Sequence, residues 1–185
     1  MGGVDKICLF YASRNGQSRR IAERLAQQLA EKGISAIPRD LKIDFPSIEQ
    51  ISQSRLLIVI ASIRYGFHLP EATRLLRAYN KIFIGMKNCK LAVVSVNLTA
   101  RKPGKDTAEG NYYLRKWLSR NKLKPTIAVP IAGSLEYPHY NWFDKFMIRL
   151  IMTITGGPTD PTKVTEFTQW DRIDNLAIRI AEEAI

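Results

Sequence analysis

Six consecutive residues, Ser13, Arg14, Asn15, Gly16, Gln17 and Ser18, include no apolar side chain and lie between two apolar segments. Before them, residues 7–11 form a continuous apolar run, the pattern of a strand covered on both faces. After them, Ile21, Ala22, Leu25, Ala26 and Leu29 recur at helical spacing. A turn at the carboxyl end of a strand, feeding a helix, presents unpaired N–H groups and the positive end of the helix dipole. Gly16 lets the backbone bend around a ligand, and Ser13, Asn15 and Ser18 add hydrogen-bonding groups. The chemistry expected here is phosphate binding. A plain strand–helix turn with a serine cap is the alternative.

Charge marks a second candidate region. Between Arg64 and Arg149 there are 16 Lys+Arg against 5 Asp+Glu, and the rest of the chain has 12 of each, so the net charge of +11 sits in the middle of the sequence. Such a field suits an anionic lipid surface, nucleic acid or a carboxylate-bearing substrate; a solvated cationic surface is the plainer reading. No recognised nucleic-acid motif accompanies it, and nucleic acid is not expected as a partner. His68, in a loop, is a weak catalytic candidate to move a proton; a lone loop histidine is more often only a surface residue. The sequence offers no metal-ligand cluster and no nucleophile–base signature.

The elements that must position these residues follow from periodicity. At 185 residues, 45% hydrophobic and 24% charged, the chain is expected to form one domain over 1–185. No apolar run is long enough to span a bilayer, no signal peptide is evident, and Cys8 and Cys89 read as buried thiols beside strands, so a cytoplasmic protein is expected. Strands are expected at 7–11, 34–38, 56–61, 91–96 and 126–132, with helices between them and a last amphipathic helix over 170–185. Alternation of this kind argues a parallel sheet wrapped by helices on both faces. The loops at the carboxyl ends of the strands, 12–18, 62–68 and 97–105, then meet on one side.

Residues 133–169 exceed what five strands need. Within them, 141–155 predicts a helix on which Asn141, Asp144, Lys145 and Arg149 share one sector. Trp142, Phe143, Phe146, Met147, Leu150, Ile151 and Ile154 cover the remainder. With the sheet already covered, this helix has no obvious core to face. At ~1.5 Å per residue it is too short to cross a membrane, and its broad apolar face suits lying in a membrane interface. Residues 164–167 are a candidate strand piece, which makes about 134–162 an insertion interrupting the fifth strand.

The loop at 13–18 resembles the S/T-x-T-G-x-T phosphate loop of flavodoxins, with Ser13, Gly16 and Ser18 matching and Asn15 in place of the middle threonine. A flavodoxin-like five-stranded parallel sheet of order 2-1-3-4-5 is the fold expected, with its ligand outside the carboxyl ends of the strands. Longer motifs sharpen the resemblance. ASIRYG at 61–66, SVNLTARKP at 95–103, AG at 132–133 with YP at 137–138, and WFDKFMIRLIM followed by GG over 142–157 resemble the menaquinone-dependent protoporphyrinogen IX oxidases of bacteria. That resemblance covers nearly the whole chain. It implies FMN as cofactor, protoporphyrinogen IX as substrate and menaquinone or ubiquinone as acceptor, in haem synthesis. Residues 13–18 would hold the phosphate, while Ile63, Arg64, Tyr65 and Gly66 with Ser95, Val96, Asn97 and Leu98 would line the flavin ring. Arg64, Arg101, Lys102 and Lys105 are the candidates for the substrate's propionates. The resemblance also implies a peripheral position on the inner face of the bacterial cell membrane. Association with further copies of the chain stays open. So do two other functions: a flavodoxin-type electron carrier, which the basic charge opposes, and an NAD(P)H:quinone reductase.

Overall fold

The computed structural model describes residues 7–83 and 89–184, without the side chains of Ile82, Phe83, His139 and Thr155. The run at 7–11 forms β1 (Ile7–Ala12), and the polar loop after it opens α1 (Gln17–Ala30). Then come β2 (Pro38–Asp40), α2 (Ile48–Gln53), β3 (Leu56–Arg64), β4 (Phe67–His68) and α3 (Pro70–Phe83). The second half contains β5 (Lys90–Val96), a 3₁₀ turn (Leu98–Arg101), α4 (Tyr112–Arg120), β6 (Ile127–Ile131), β7 (Ser134–Glu136), α5 (Trp142–Thr155), β8 (Val164–Glu166) and α6 (Trp170–Ala184). Ile185, the last residue of the helix expected at the C-terminus, lies outside the described residues.

The main sheet has the order β2-β1-β3-β5-β6, all parallel, which is the order expected for five strands. Alternate residues of the central strands feed two separate cores. Leu9, Ile58 and Ile60 pack with Ile21, Leu25 and Leu29 of α1 and with Ile173, Leu176 and Ile180 of α6. Phe10, Leu57 and Val59 pack on the other face with Leu75 and Leu76 of α3 and Leu114 and Trp117 of α4. Each such side chain contributes roughly 1.5–3 kcal/mol by leaving water.

Three expectations need correction. The second strand begins at Pro38, because Gly33 (φ 74°) turns the chain and the Ile34 amide closes the end of α1 on the Leu29 carbonyl at 3.0 Å. Residues 34–37 serve only to return the chain to the edge of β1. The third strand runs past Ala61 to Arg64, where a tight turn through Tyr65 and Gly66 folds it back onto β4. The piece at 164–167 does not extend the fifth strand: β8 pairs antiparallel with β7 in a two-stranded sheet of its own, with Ser134 opposite Glu166. This ladder is the stem on which the excursion containing α5 is mounted.

A further correction concerns α5. Leu135, Tyr137 and Met152 form a small third core with Leu98, Tyr140, Ile148 and Phe167, so the helix does have packing partners. The polar sector of the helix turns partly inward, because Asp144 is buried at 8% exposure.

Candidate functional site

A cleft of about 290 Å³ opens at the carboxyl ends of the strands. Its walls come from the loop after β1, the end of β3 with its turn, the end of β5 and the segment after it, Tyr113 of α4, Gly133–Ser134 after β6, and Tyr140. The inward side of α5, with Asp144, Met147, Ile148, Ile151 and Met152, forms its roof.

At one end lies the polar loop. Ser13, Arg14, Asn15 and Gln17 line the cleft. Gly16 has φ 87°, and a Cβ placed there would meet no atom within 4 Å. Ser18, in the first turn of α1, is fully buried, and its Oγ has no hydrogen-bond partner among the described residues. A buried hydroxyl without a partner costs free energy unless something binds it. With the free N–H groups of the helix start, this arrangement fits the terminal phosphate that the resemblance implies. The Arg14 guanidinium is held at 2.8 Å by Glu71 of α3. Gln17 is a junction: its amide nitrogen donates to Glu166 at 2.8 Å and to Thr168 at 2.7 Å, and its oxygen accepts from Ser134 at 3.2 Å. The loop and the β7–β8 stem therefore share one side chain.

The middle of the cleft is built from the residues expected near a flavin ring. Ile63, Arg64, Tyr65 and Gly66 line it, as do Val96, Asn97 and Leu98. Tyr65 and Gly66 both have positive φ, 51° and 80°, as a two-residue hairpin turn requires. Asn97 caps the 3₁₀ turn by accepting the Ala100 amide at 3.1 Å, and it exchanges hydrogen bonds with Asn111, the cap of α4. Ser95 lies behind this wall instead: it is fully buried, with its Oγ 2.7 Å from His68 Nε2 and accepting from Asn97 Nδ2 at 2.9 Å.

The other candidates separate. His68 does not line the cleft; it is 8% exposed and stacks on Trp117, ring centres 3.8 Å apart. Burial pushes its pKa down to about 3, so the imidazole is neutral at physiological pH. Arg101 and Lys102 line the cleft, while Lys105 is exposed outside it. Arg101 donates to the Leu98 carbonyl at 2.8 Å and lies 5.5 Å from the centre of Phe167. Arg64 is already paired, its Nη2 2.6 Å from Asp144 Oδ2. The Tyr65 hydroxyl donates to the other oxygen of Asp144.

On α5, Trp142, Phe143, Phe146, Leu150, Ile151 and Ile154 are exposed. Met147 is half-buried and lines the cleft, as Ile151 also does. Sequence reasoning missed Asp144, Met152, Gly133 and Ser134 as site residues. For Asp144 the one available signal is Asn141, whose Oδ1 accepts the Asp144 amide at 2.8 Å and fixes the helix start.

Comparison with known proteins adds to this geometry. The flavodoxin domain family matches residues 8–162. The protoporphyrinogen IX dehydrogenase (quinone) of Escherichia coli (strain K12) is 38% identical over 177 residues, covering 95% of this chain and 94% of its own. The protein of the same description from Leishmania major is 35% identical over 173 residues, 93% of this chain and 73% of its own. Oxidised flavodoxin 1 from Bacillus cereus superposes with a TM-score of 0.57 at 14% identity, covering 95% of this chain and 97% of that one, a likeness of fold alone.

Proposed function

Because the chain belongs to the flavodoxin-domain family of quinone-dependent protoporphyrinogen IX dehydrogenases, we propose that it oxidises protoporphyrinogen IX to protoporphyrin IX, with FMN held in the cleft and menaquinone or ubiquinone as electron acceptor. The observation that carries this reading is the similarity over 95% of the chain, insertion included. When bound, FMN accepts two electrons at a time, so three rounds account for the six removed from the substrate.

The chain's own residues bind, orient and shield. The start of α1 and the Ser18 hydroxyl would hold the phosphate. The Tyr65–Gly66 turn and the Asn97 wall would receive the ring. Met147, Ile148 and Met152 of α5 keep water from the cleft. Arg101 and Lys102 stand ready for the substrate's carboxylates. His68, stacked on Trp117 outside the cleft, moves no proton.

The exposed face of α5 supports a position on the inner surface of the bacterial cell membrane. Trp142, Phe146 and Ile154 are 80%, 61% and 76% exposed. Side chains of this size gain by entering a lipid interface, and the basic middle of the chain adds attraction to anionic headgroups. There the roof of the cleft is also where a lipid-borne quinone arrives.

The test is an anaerobic half-reaction series. Protoporphyrinogen IX added to FMN-loaded protein should bleach the flavin absorbance, and a quinone added next should restore it. A flavin that protoporphyrinogen IX leaves oxidised, but that NAD(P)H reduces, would overturn the reading in favour of an NAD(P)H:quinone reductase.

A further inference from the structure

Beside the cleft lies a second pocket of about 130 Å³, with no role in the function argued above. The two share a wall, since Gly66 and Tyr113 line both. The floor of the second pocket is aromatic: the stacked rings of His68 and Trp117, both buried. Its rim is cationic. The Lys116 ammonium lies 5.6 Å from the centre of Phe67 and 5.1 Å from that of Tyr112, two rings that are themselves exposed. The Arg120 guanidinium lies 5.8 Å from Phe67. Arg77 is aimed by donating its Nε hydrogen to Asn121 Oδ1 at 3.1 Å.

Among the described residues no carboxylate lines this pocket. None of the three cations forms an ion pair among the described residues. Three like charges at one rim repel each other, and an anion between them relieves that repulsion. Rings that hold Lys116 and Arg120 in place also reduce the ordering needed on binding.

We propose that this pocket binds an alkyl carboxylate, with a short hydrocarbon stem on the His68–Trp117 stack and the carboxylate between Lys116, Arg120 and Arg77. Resting on the reading of the cleft given above, the carboxylate is that of a propionate arm of the tetrapyrrole, which crosses the Gly66–Tyr113 wall. The apolar floor favours this occupant over a lipid headgroup, which needs charge but no seat for a stem.

Equilibrium binding of protoporphyrin IX and of its dimethyl ester to the FMN-loaded protein, followed by tryptophan fluorescence in one detergent, tests the site. The diacid should bind the parent about tenfold tighter than the ester, the scale of a charge-assisted contact at a partly solvated site. In Lys116→Gln/Arg120→Gln that preference should fall about threefold, leaving the share that Arg101 and Lys102 supply in the cleft. Lys122→Gln/Lys124→Gln, which removes the same charge outside the pocket, should keep it whole. A preference that is absent from the parent, is undiminished in the first variant, or falls equally in the second overturns the proposal. So does loss of binding to phosphatidylglycerol vesicles with the preference intact, which assigns the cations to a membrane. Turnover of protoporphyrinogen IX by the parent is measured in parallel. Turnover with an unchanged preference removes the pocket alone; a preference reduced in the variant without turnover removes the reading of the cleft alone.

Discussion

Asp144 and Arg64, 80 positions apart in the chain, meet at 2.6 Å and fasten the roof helix α5 to the turn at the end of β3. The carboxylate is buried in a helix whose other large side chains are mostly apolar, and Tyr65 binds its second oxygen. Burial raises the Asp144 pKa, but the hydrogen bonds from Tyr65 and Arg64 outweigh it and leave the carboxyl below the usual range. The same contact holds Tyr65 in its left-handed conformation, which costs an aromatic residue roughly 1 kcal/mol.

Asp144→Asn is expected to destabilise the protein by about 1–2 kcal/mol at neutral pH, a figure reduced because Arg64 is partly in water. The folded-state pKa is depressed, so the stabilisation is complete above the ordinary value of 3.8 and is lost as pH falls through the folded value. Thermal melts of parent and variant should therefore differ at pH 7 and converge in strong acid. A gap that persists there would show the loss to be one of packing rather than charge.

Ser18→Ala removes the buried hydroxyl that has no partner among the described residues. FMN affinity should fall about tenfold while the cofactor-free protein melts no lower than the parent. Gly16→Val should weaken FMN binding as well, and should also destabilise the protein by about 1–2 kcal/mol through its positive φ. Equal affinities in parent and Ser18→Ala, by flavin fluorescence titration, would place the phosphate elsewhere.

His68 contributes to acid sensitivity. Its folded pKa is about 3 against an ordinary value of 6.5, so the unfolded chain takes up a proton that the folded one refuses. Stability from this source is full above pH 6.5 and declines as pH falls toward 3. His68→Gln should flatten that part of the profile, measured as the urea midpoint against pH. The ring carbon resonances of His68 should not titrate between pH 5 and 8.

On α5, Phe146→Asp/Ile154→Asp changes two side chains that are largely in solvent, so the fold and FMN content should be preserved. Binding to anionic liposomes should drop at least tenfold, and reoxidation by membrane quinone should slow much more than reoxidation by a soluble analogue. High salt should reproduce part of the effect by screening the basic charge. Unchanged liposome binding by a folded variant rules out the membrane role for this face.

The parallel sheet was legible because runs such as 56–61 are apolar throughout, which only a strand covered on both faces tolerates. The phosphate loop was legible for a local reason: its polar residues, glycine and helix start lie within six positions. Asp144 was not, because polarity on a helical wheel ordinarily marks the wet side, and the partners that turn it inward, Arg64 and Tyr65, are remote in sequence. Ser95 was misplaced by one residue of depth along the strand. Val96 and Asn97, at and beyond the end of β5, reach the cleft, whereas Ser95 lies one residue deeper and its side chain faces His68. The β7–β8 stem was half visible, because three-residue strands leave too short a period to read.

Gln17 belongs at once to the first turn of α1 and to the stem of the insertion. Two events that share a side chain are thermodynamically linked, and linkage is symmetric. Whatever factor an occupant of the phosphate loop adds to the seating of the stem, the seated stem returns to the occupant's affinity. A chain emptied of its cofactor should therefore lose protection from proteases in the excursion between Glu136 and Val164, some distance from the loop it vacated. Conversely, a clamp engineered across Ser134 and Glu166 should slow release of the phosphate without touching it.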